Sequence, residues 1–186
     1  METVNTFKLT QTKSSLAIHH IAYVMWGVLL LFVTSQLSIP LEPVPITLQT
    51  VGVMLIGLTF ERSHAIKAVL VYLGLGAVGI PVFANYHGGG HWLFGMSGGY
   101  LWGFLAAVAL MTSLRQRYLQ NHSVLHIGLN CFFGTTVIFL FGITWLAYSI
   151  GLKAAIYSGF YPFIIPGAVK IVLLTTAVRY LKLGRR

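Results

Sequence analysis

The sequence predicts an all-α integral membrane protein, one bundle of six transmembrane helices with irregular lid-like or re-entrant loops on its outer face. Three observations predict it. Of the 186 residues, 56% are hydrophobic and 8% charged, with a mean hydropathy of +0.81, whereas a soluble domain carries about 25% charged residues. The apolar residues fall into six runs, at 17–38, 47–60, 65–82, 97–114, 124–150 and 164–182, on the scale of the roughly 20 residues that cross a bilayer. Lys and Arg gather at alternate connections between those runs. So apolar a chain leaves no room for a soluble catalytic domain. Residues 1–186 therefore read as a single membrane domain, with a polar cytoplasmic N-terminus (1–16), the bundle (about 17–182) and a basic cytoplasmic tail (183–186).

The first run begins at Ala17 and continues past Phe32 with no small-residue cleavage pattern. That exceeds the roughly 7–15 residues of a signal-peptide core, so it is expected to be a retained span. The segment after it, IPLEPVPITLQ (39–49), carries Pro40, Pro43 and Pro45. A helix interior does not accommodate all three, which predicts an extended or re-entrant lid. The runs 47–60 and 65–82 are short or glycine-interrupted; broken segments at membrane depth belong where they are buried in protein or line a cavity. The loop FANYHGGGHWLFGMSGGYLWG (83–103) contains no Lys, Arg, Asp or Glu. After two further runs comes a third outer segment, the aromatic stretch Tyr157–Phe163, and then Pro166-Gly167, read as a break one helical turn before Lys170.

Basic residues set the expected orientation, because cytoplasmic connections are enriched in them. Lys8, Lys13, Arg62, Lys67, Arg115, Arg117, Arg179, Lys182, Arg185 and Arg186 fall on one side, and only Lys153 on the other. Both termini are then cytoplasmic and the three irregular segments face outward. The remaining cation, Lys170, lies inside a span, where it costs roughly 2.5–3.5 kcal/mol on insertion scales. It either snorkels to the outer interface or lines a pocket with a partner or an anionic ligand.

The glycines at 88, 89, 90, 95, 98 and 99 allow close backbone approach, and Phe83, Tyr86, Trp92, Phe94, Tyr100 and Trp102 supply flat apolar walls. Together they suit a small-molecule pocket; aromatics alone would equally suit an interfacial belt. His87 and His91 are four apart, but three glycines between them disfavour a helix and no carboxylate is near. Polar loop histidines, His19 and His20 included, are the plainer reading, and no metal or other cofactor is expected. Cys131 is the single cysteine and reads as a small packing residue. The basic residues form no stripe for nucleic acid. With no Asp and only Glu2, Glu42 and Glu61, paired acid/base carboxylates are lacking, and so is a phosphate-binding GxxxxGK[ST] loop. These absences argue against an enzyme; energy for uphill transport would come from a partner.

The segments VPITLQTVGVMLIGL (44–58), YLGLGAVGIPVFAN (72–85), GMSGGYLWGF (95–104) and PGAVK (166–170) resemble, in order and spacing, those of BioY, the biotin-specific substrate-binding subunits of energy-coupling-factor vitamin transporters. The resemblance covers about 36–182. It implies an S-component bundle in the plasma membrane that captures biotin from outside and docks with a coupling membrane protein and two ATPase subunits. It also implies Asn85 as a partner of the ureido ring, Lys170 as a ligand-contacting cation, Gly98, Gly99 and Tyr100 as wall, and Thr47 and Gln49 as lid or floor. Tyr86 and Trp92 join this set from the aromatic reading of the loop. Where the family has Pro-Gly-Asp before the lysine, position 168 here is Ala, which implies a lost N–H acceptor and a lost counter-charge for Lys170. GMSGGY stands for the usual GPTGGY, and the first helix lacks an Ala-x-x-x-Ala docking pair. Alternatives are the same fold with another vitamin or heterocyclic carboxylate, transport without an ATPase module, or a membrane enzyme.

Overall fold

No proline interrupts the chain before Pro40, and helix α1 runs unbroken over Glu2–Gln36 in the computed structural model, which describes residues 2–118 and 124–180 and the side chains of 18–115 and 124–180. The polar stretch expected as a separate N-terminal segment thus continues the first helix. The tail 183–186 and Lys182 lie outside the described residues, as do the side chains of Lys8, Lys13 and Arg117.

Strands β1 (Ser38–Ile39) and β2 (Ile46–Thr47) follow, then α2 (Gln49–Thr59), α3 (Arg62–Ala77), a 3-10 turn (Ala84–Tyr86), α4 (Gly90–Phe94), α5 (Gly98–Tyr118), α6 (Val124–Ile150), α7 (Leu152–Gly159) and α8 (Tyr161–Tyr180). Each of the six expected runs is a helix, namely α1, α2, α3, α5, α6 and α8. Their reach differs. Ile18–Gln36, Val124–Ile150 and Tyr161–Tyr180 are long and apolar enough to cross a membrane. The 11 residues of α2 and 16 of α3 extend only about 16 and 24 Å, short of a hydrocarbon core of about 30 Å. Neither is broken, contrary to the glycine-interrupted reading; Gly52 lets α2 lie against Thr34 of α1, where an added Cβ would come within 2.6 Å of Thr34 Oγ1.

The most extensive helix contact is α5 on α6. Small residues make it close. A Cβ on Gly99 would fall 2.6 Å from the Phe141 carbonyl oxygen and into Trp145, and one on Gly142 into the Tyr100 ring. The larger core cluster joins all the long helices through Leu31, Val53, Tyr72, Phe104, Ile138 and Phe163. A second, of Met54, Leu58, Met111, Ile127, Cys131, Leu174 and Val178, lies among α2, α5, α6 and α8. Outward faces stay apolar: Trp26, Val33, Phe132, Leu140, Ile165 and Leu173 are exposed, the pattern of helices solvated by lipid.

Three expectations are corrected here. Tyr157–Phe163 is not irregular: it spans the end of α7 and the start of α8, with a single non-helical joint at Phe160. Pro166 does not break the final helix, since α8 continues through it; a proline removes only the one N–H bond to the preceding turn, and membrane helices tolerate that. His20 likewise lies on α1 and not in a loop, with its Nδ1 2.6 Å from His64 Nε2 on α3.

Candidate functional site

A cavity of about 350 Å³ opens between the β1–β2 hairpin, the segment 83–97 and helices α2, α5, α6 and α8. Ser38 pairs with Thr47 and Ile39 with Ile46, so residues 40–45 arch over the opening. Pro40, Pro43 and Pro45 line it. Prolines donate no N–H, which limits the ladder to its two-residue strands and leaves the arch as an apolar cover. The lid expected from the prolines is therefore a β-hairpin.

Lys170 lies in the wall of this cavity. Its Nζ donates to the Thr47 carbonyl oxygen at 2.6 Å and to Thr50 Oγ1 at 3.3 Å, tying α8 to the lid and to the start of α2. An ammonium has three N–H donors, so one remains for a ligand. Among the described residues Glu42, on the arch, is the one carboxylate lining the cavity. Phe163, Gly167 and Lys170 follow the 4- and 3-residue steps that place side chains on one helix face, and all three line the cavity. Ala168 is exposed and off that face. The expectation that position 168 bears on the site is thereby corrected. The position facing the ligand space is Gly167, where an added Cβ would meet no atom within 4 Å.

On the opposite side, Asn85 and Tyr86 both have φ of 56°, a left-handed conformation that side chains with a Cβ adopt at a cost. Gln36, at the end of α1, holds them there. Its Nε2 donates to the Phe83 carbonyl oxygen at 3.1 Å, and its Oε1 accepts the Tyr86 N–H at 3.0 Å. The strained turn aims Asn85 at the cavity, and Ser38 Oγ donates to Asn85 Oδ1 at 2.8 Å. The Asn85 amino group is thereby left as a donor. Gln36→Ala is expected to release this turn and weaken ligand binding by about tenfold, the scale of leaving such groups unsatisfied, as read by equilibrium binding.

At the floor, Gln49 is buried and its Nε2 donates to Tyr72 Oη at 2.6 Å; Tyr72 Oη donates to the Val82 carbonyl oxygen at 2.8 Å. Tyr100, Phe139 and Phe163 form an aromatic wall, with Tyr100 and Phe163 stacked at 6.3 Å and Phe139 edge-on to Phe163 at 5.8 Å. Tyr100 is fixed by donating its hydroxyl to the Gly159 carbonyl oxygen at 2.8 Å. His87 stacks on Trp92 at 4.2 Å beside the lid. Among the described residues no group of three or more His, Cys, Asp or Glu is placed to hold a metal ion.

The structure thus brings Thr47, Gln49, Asn85, Trp92, Tyr100 and Lys170 around one cavity. Gly98, Gly99 and Tyr86 are not part of its lining. Gly98 backs onto the Leu93 carbonyl and Gly99 onto α6, while the exposed Tyr86 ring leans on Phe32 of α1. Sequence reasoning missed Glu42, Thr50, Met54, Phe163 and Gly167 in the lining, and Gln36 and Tyr72 behind it. Stepping by three and four from Lys170 reaches Gly167 and Phe163; no local pattern marks Gln36 or Tyr72, whose partners are 47 and 23 residues away.

The model of the BioY family matches residues 7–185. A probable biotin transporter BioY of Rickettsia prowazekii is 36% identical over 162 residues, 87% of this chain and 82% of that protein. The biotin transporter BioY of Thermotoga maritima is 34% identical over 154 residues, 82% of this chain and 89% of that one. Among solved structures, the S-component for biotin from an ECF-type ABC transporter superposes with a TM-score of 0.80 at 24% identity, over 90% of this chain and 93% of that one.

Proposed function

The chain belongs to the BioY family, and from that premise we propose that it captures biotin at the outer face of the plasma membrane and serves its uptake as the substrate-binding subunit of an energy-coupling-factor transporter. The observation that carries this reading is the pairing, in one mostly uncharged cavity, of a single cation with two amides of fixed orientation. Biotin has an anionic carboxylate at one end and a cyclic urea at the other. Lys170 keeps one N–H for the carboxylate. The Asn85 amino group donates to the urea carbonyl, and the aromatic wall packs the apolar ring system. Both termini face the cytoplasm and the hairpin faces outward, by the distribution of basic residues. The chain works as a transporter subunit and not an enzyme: one cavity carboxylate supplies no acid/base pair. ATP hydrolysis belongs to two partner ATPases, docked through a coupling membrane protein.

Equilibrium binding of labelled biotin to the detergent-purified protein tests this, with lipoate, pantothenate and thiamine as competitors. Saturable biotin binding that the three do not displace is the expected result. Displacement by one of them, or no biotin binding at all, would assign the site to another ligand.

Moving a carboxylate along α8 gives a further prediction. Gly167→Asp puts an acceptor into open cavity space one turn from Lys170 and is expected to tighten biotin binding by about tenfold, the scale of one charge-assisted hydrogen bond. Ala168→Asp points toward lipid. It is expected to lower the yield of inserted protein, since a lipid-facing charge is costly, while leaving the affinity of the recovered protein within about twofold. Equal effects of the two substitutions on affinity would contradict the placement of Gly167 in the site.

A further inference from the structure

Tyr72 is fully buried on α3 and takes no part in the cavity lining, yet it touches the one residue of the floor whose chemistry is ambiguous. A glutamine amide offers two donors on nitrogen and an acceptor on oxygen, and which end faces a ligand decides what the site recognises. The Val82 carbonyl oxygen only accepts. The Tyr72 hydroxyl, 2.8 Å away, therefore spends its single proton there. Ser35 Oγ lies 2.9 Å from the same oxygen, which keeps Val82 placed. With its proton committed, Tyr72 Oη is left with lone pairs alone toward Gln49, and only the amide nitrogen makes a bond at 2.6 Å. The chain of hydrogen bonds runs one way, from α2 through α3 to the loop. Gln49 lines the cavity, and with Nε2 held by Tyr72 the amide atom left over for a ligand is the acceptor Oε1.

We propose that Tyr72 is a positioning residue that fixes Gln49 as a hydrogen-bond acceptor, so that the floor of the cavity selects ligands presenting an N–H and rejects isosteres presenting a lone pair. This rests on the reading of biotin as ligand: the urea N–H groups are the donors that Gln49 accepts, complementing the Asn85 donor to the urea carbonyl. The site then reads the cyclic urea from both sides, with acceptor and donor assigned by the protein before the ligand arrives.

The test compares binding of biotin with that of cyclic carbamate analogues in which one or the other urea N–H is replaced by oxygen. Wild type is expected to prefer biotin to at least one carbamate by tenfold or more, the scale at which a buried acceptor is set against a lone pair. Tyr72→Phe removes one oxygen atom and frees the amide to turn; biotin affinity falls severalfold and the preference collapses to about twofold or less. Gln49→Leu, with Tyr72 intact, is expected to lose the preference as well, and it stands in should Tyr72→Phe fail to fold. A merely structural role for Tyr72 lowers both affinities together and leaves their ratio unchanged, which would overturn the proposal, as would equal binding of both ligands by wild type. Absence of any biotin binding by wild type overturns the ligand assignment itself, and is told apart by appearing before any substitution is made.

Discussion

Lys170→Met is expected to weaken biotin binding by roughly 30-fold to several thousandfold, the cost of truncating one member of a desolvated charge pair. Methionine retains an unbranched stem in the same space and deletes only the cation, so packing of α8 is preserved. Two losses combine. The ligand carboxylate enters a cavity whose remaining charged group is Glu42, and the bonds from α8 to Thr47 and Thr50 disappear, loosening the lid. An opposite effect accompanies them: a cation at membrane depth costs about 2.5–3.5 kcal/mol on insertion scales. The folded, ligand-free variant is therefore expected to be no less stable than wild type to heat in detergent. Affinity lost with stability retained marks a residue kept for its ligand. Unchanged affinity would remove Lys170 from the site.

Gly99→Val gives the contrasting result. The valine Cβ would collide with Trp145 and lie 2.6 Å from the Phe141 carbonyl, and backbone cannot swing aside as a flexible side chain does. Overpacking of this kind typically costs about 1–3 kcal/mol, and more where backbone must shift; here it falls on the most extensive helix contact in the molecule. Thermal stability is expected to drop first, with the number of binding-competent molecules falling and the affinity of the survivors little changed. A variant of normal stability with reduced affinity would instead return Gly99 to the cavity wall. The measurement is a melting curve beside a binding isotherm on the same preparation.

These two residues also mark what the sequence made legible. Lys170 was conspicuous because a lone cation in an apolar run has a large energetic cost that demands an explanation. Gly99 stood out for the same reason as Gly88 to Gly90, glycine density in an aromatic loop, but density does not say whether the space beside a glycine is filled by ligand or by helix. Here Trp145, 46 residues later, fills it, and no local rule anticipates that. The six helices were visible from apolar runs because lipid imposes a simple rule on composition. Pro166 misled because the no-proline rule is strict in water and relaxed in a membrane helix. Ala168 misled because position along a motif was read in place of position around a helix; a step of 100° per residue separates the two. Gln36 and Tyr72 stayed hidden because an amide and a phenol acquire their roles only from partners brought together by the fold.

The bond from Lys170 ends on the carbonyl of Thr47 and not on its side chain. Every amino acid supplies that oxygen. The residue at 47 is consequently free to vary in size and polarity to suit the ligand without undoing the tie between α8 and the hairpin, so a drift in specificity at this position need not pass through an intermediate with an unfastened lid. Replacing the amide that follows Thr47 with an ester, which weakens the carbonyl as an acceptor, reaches a tie that side-chain exchange at 47 leaves untouched.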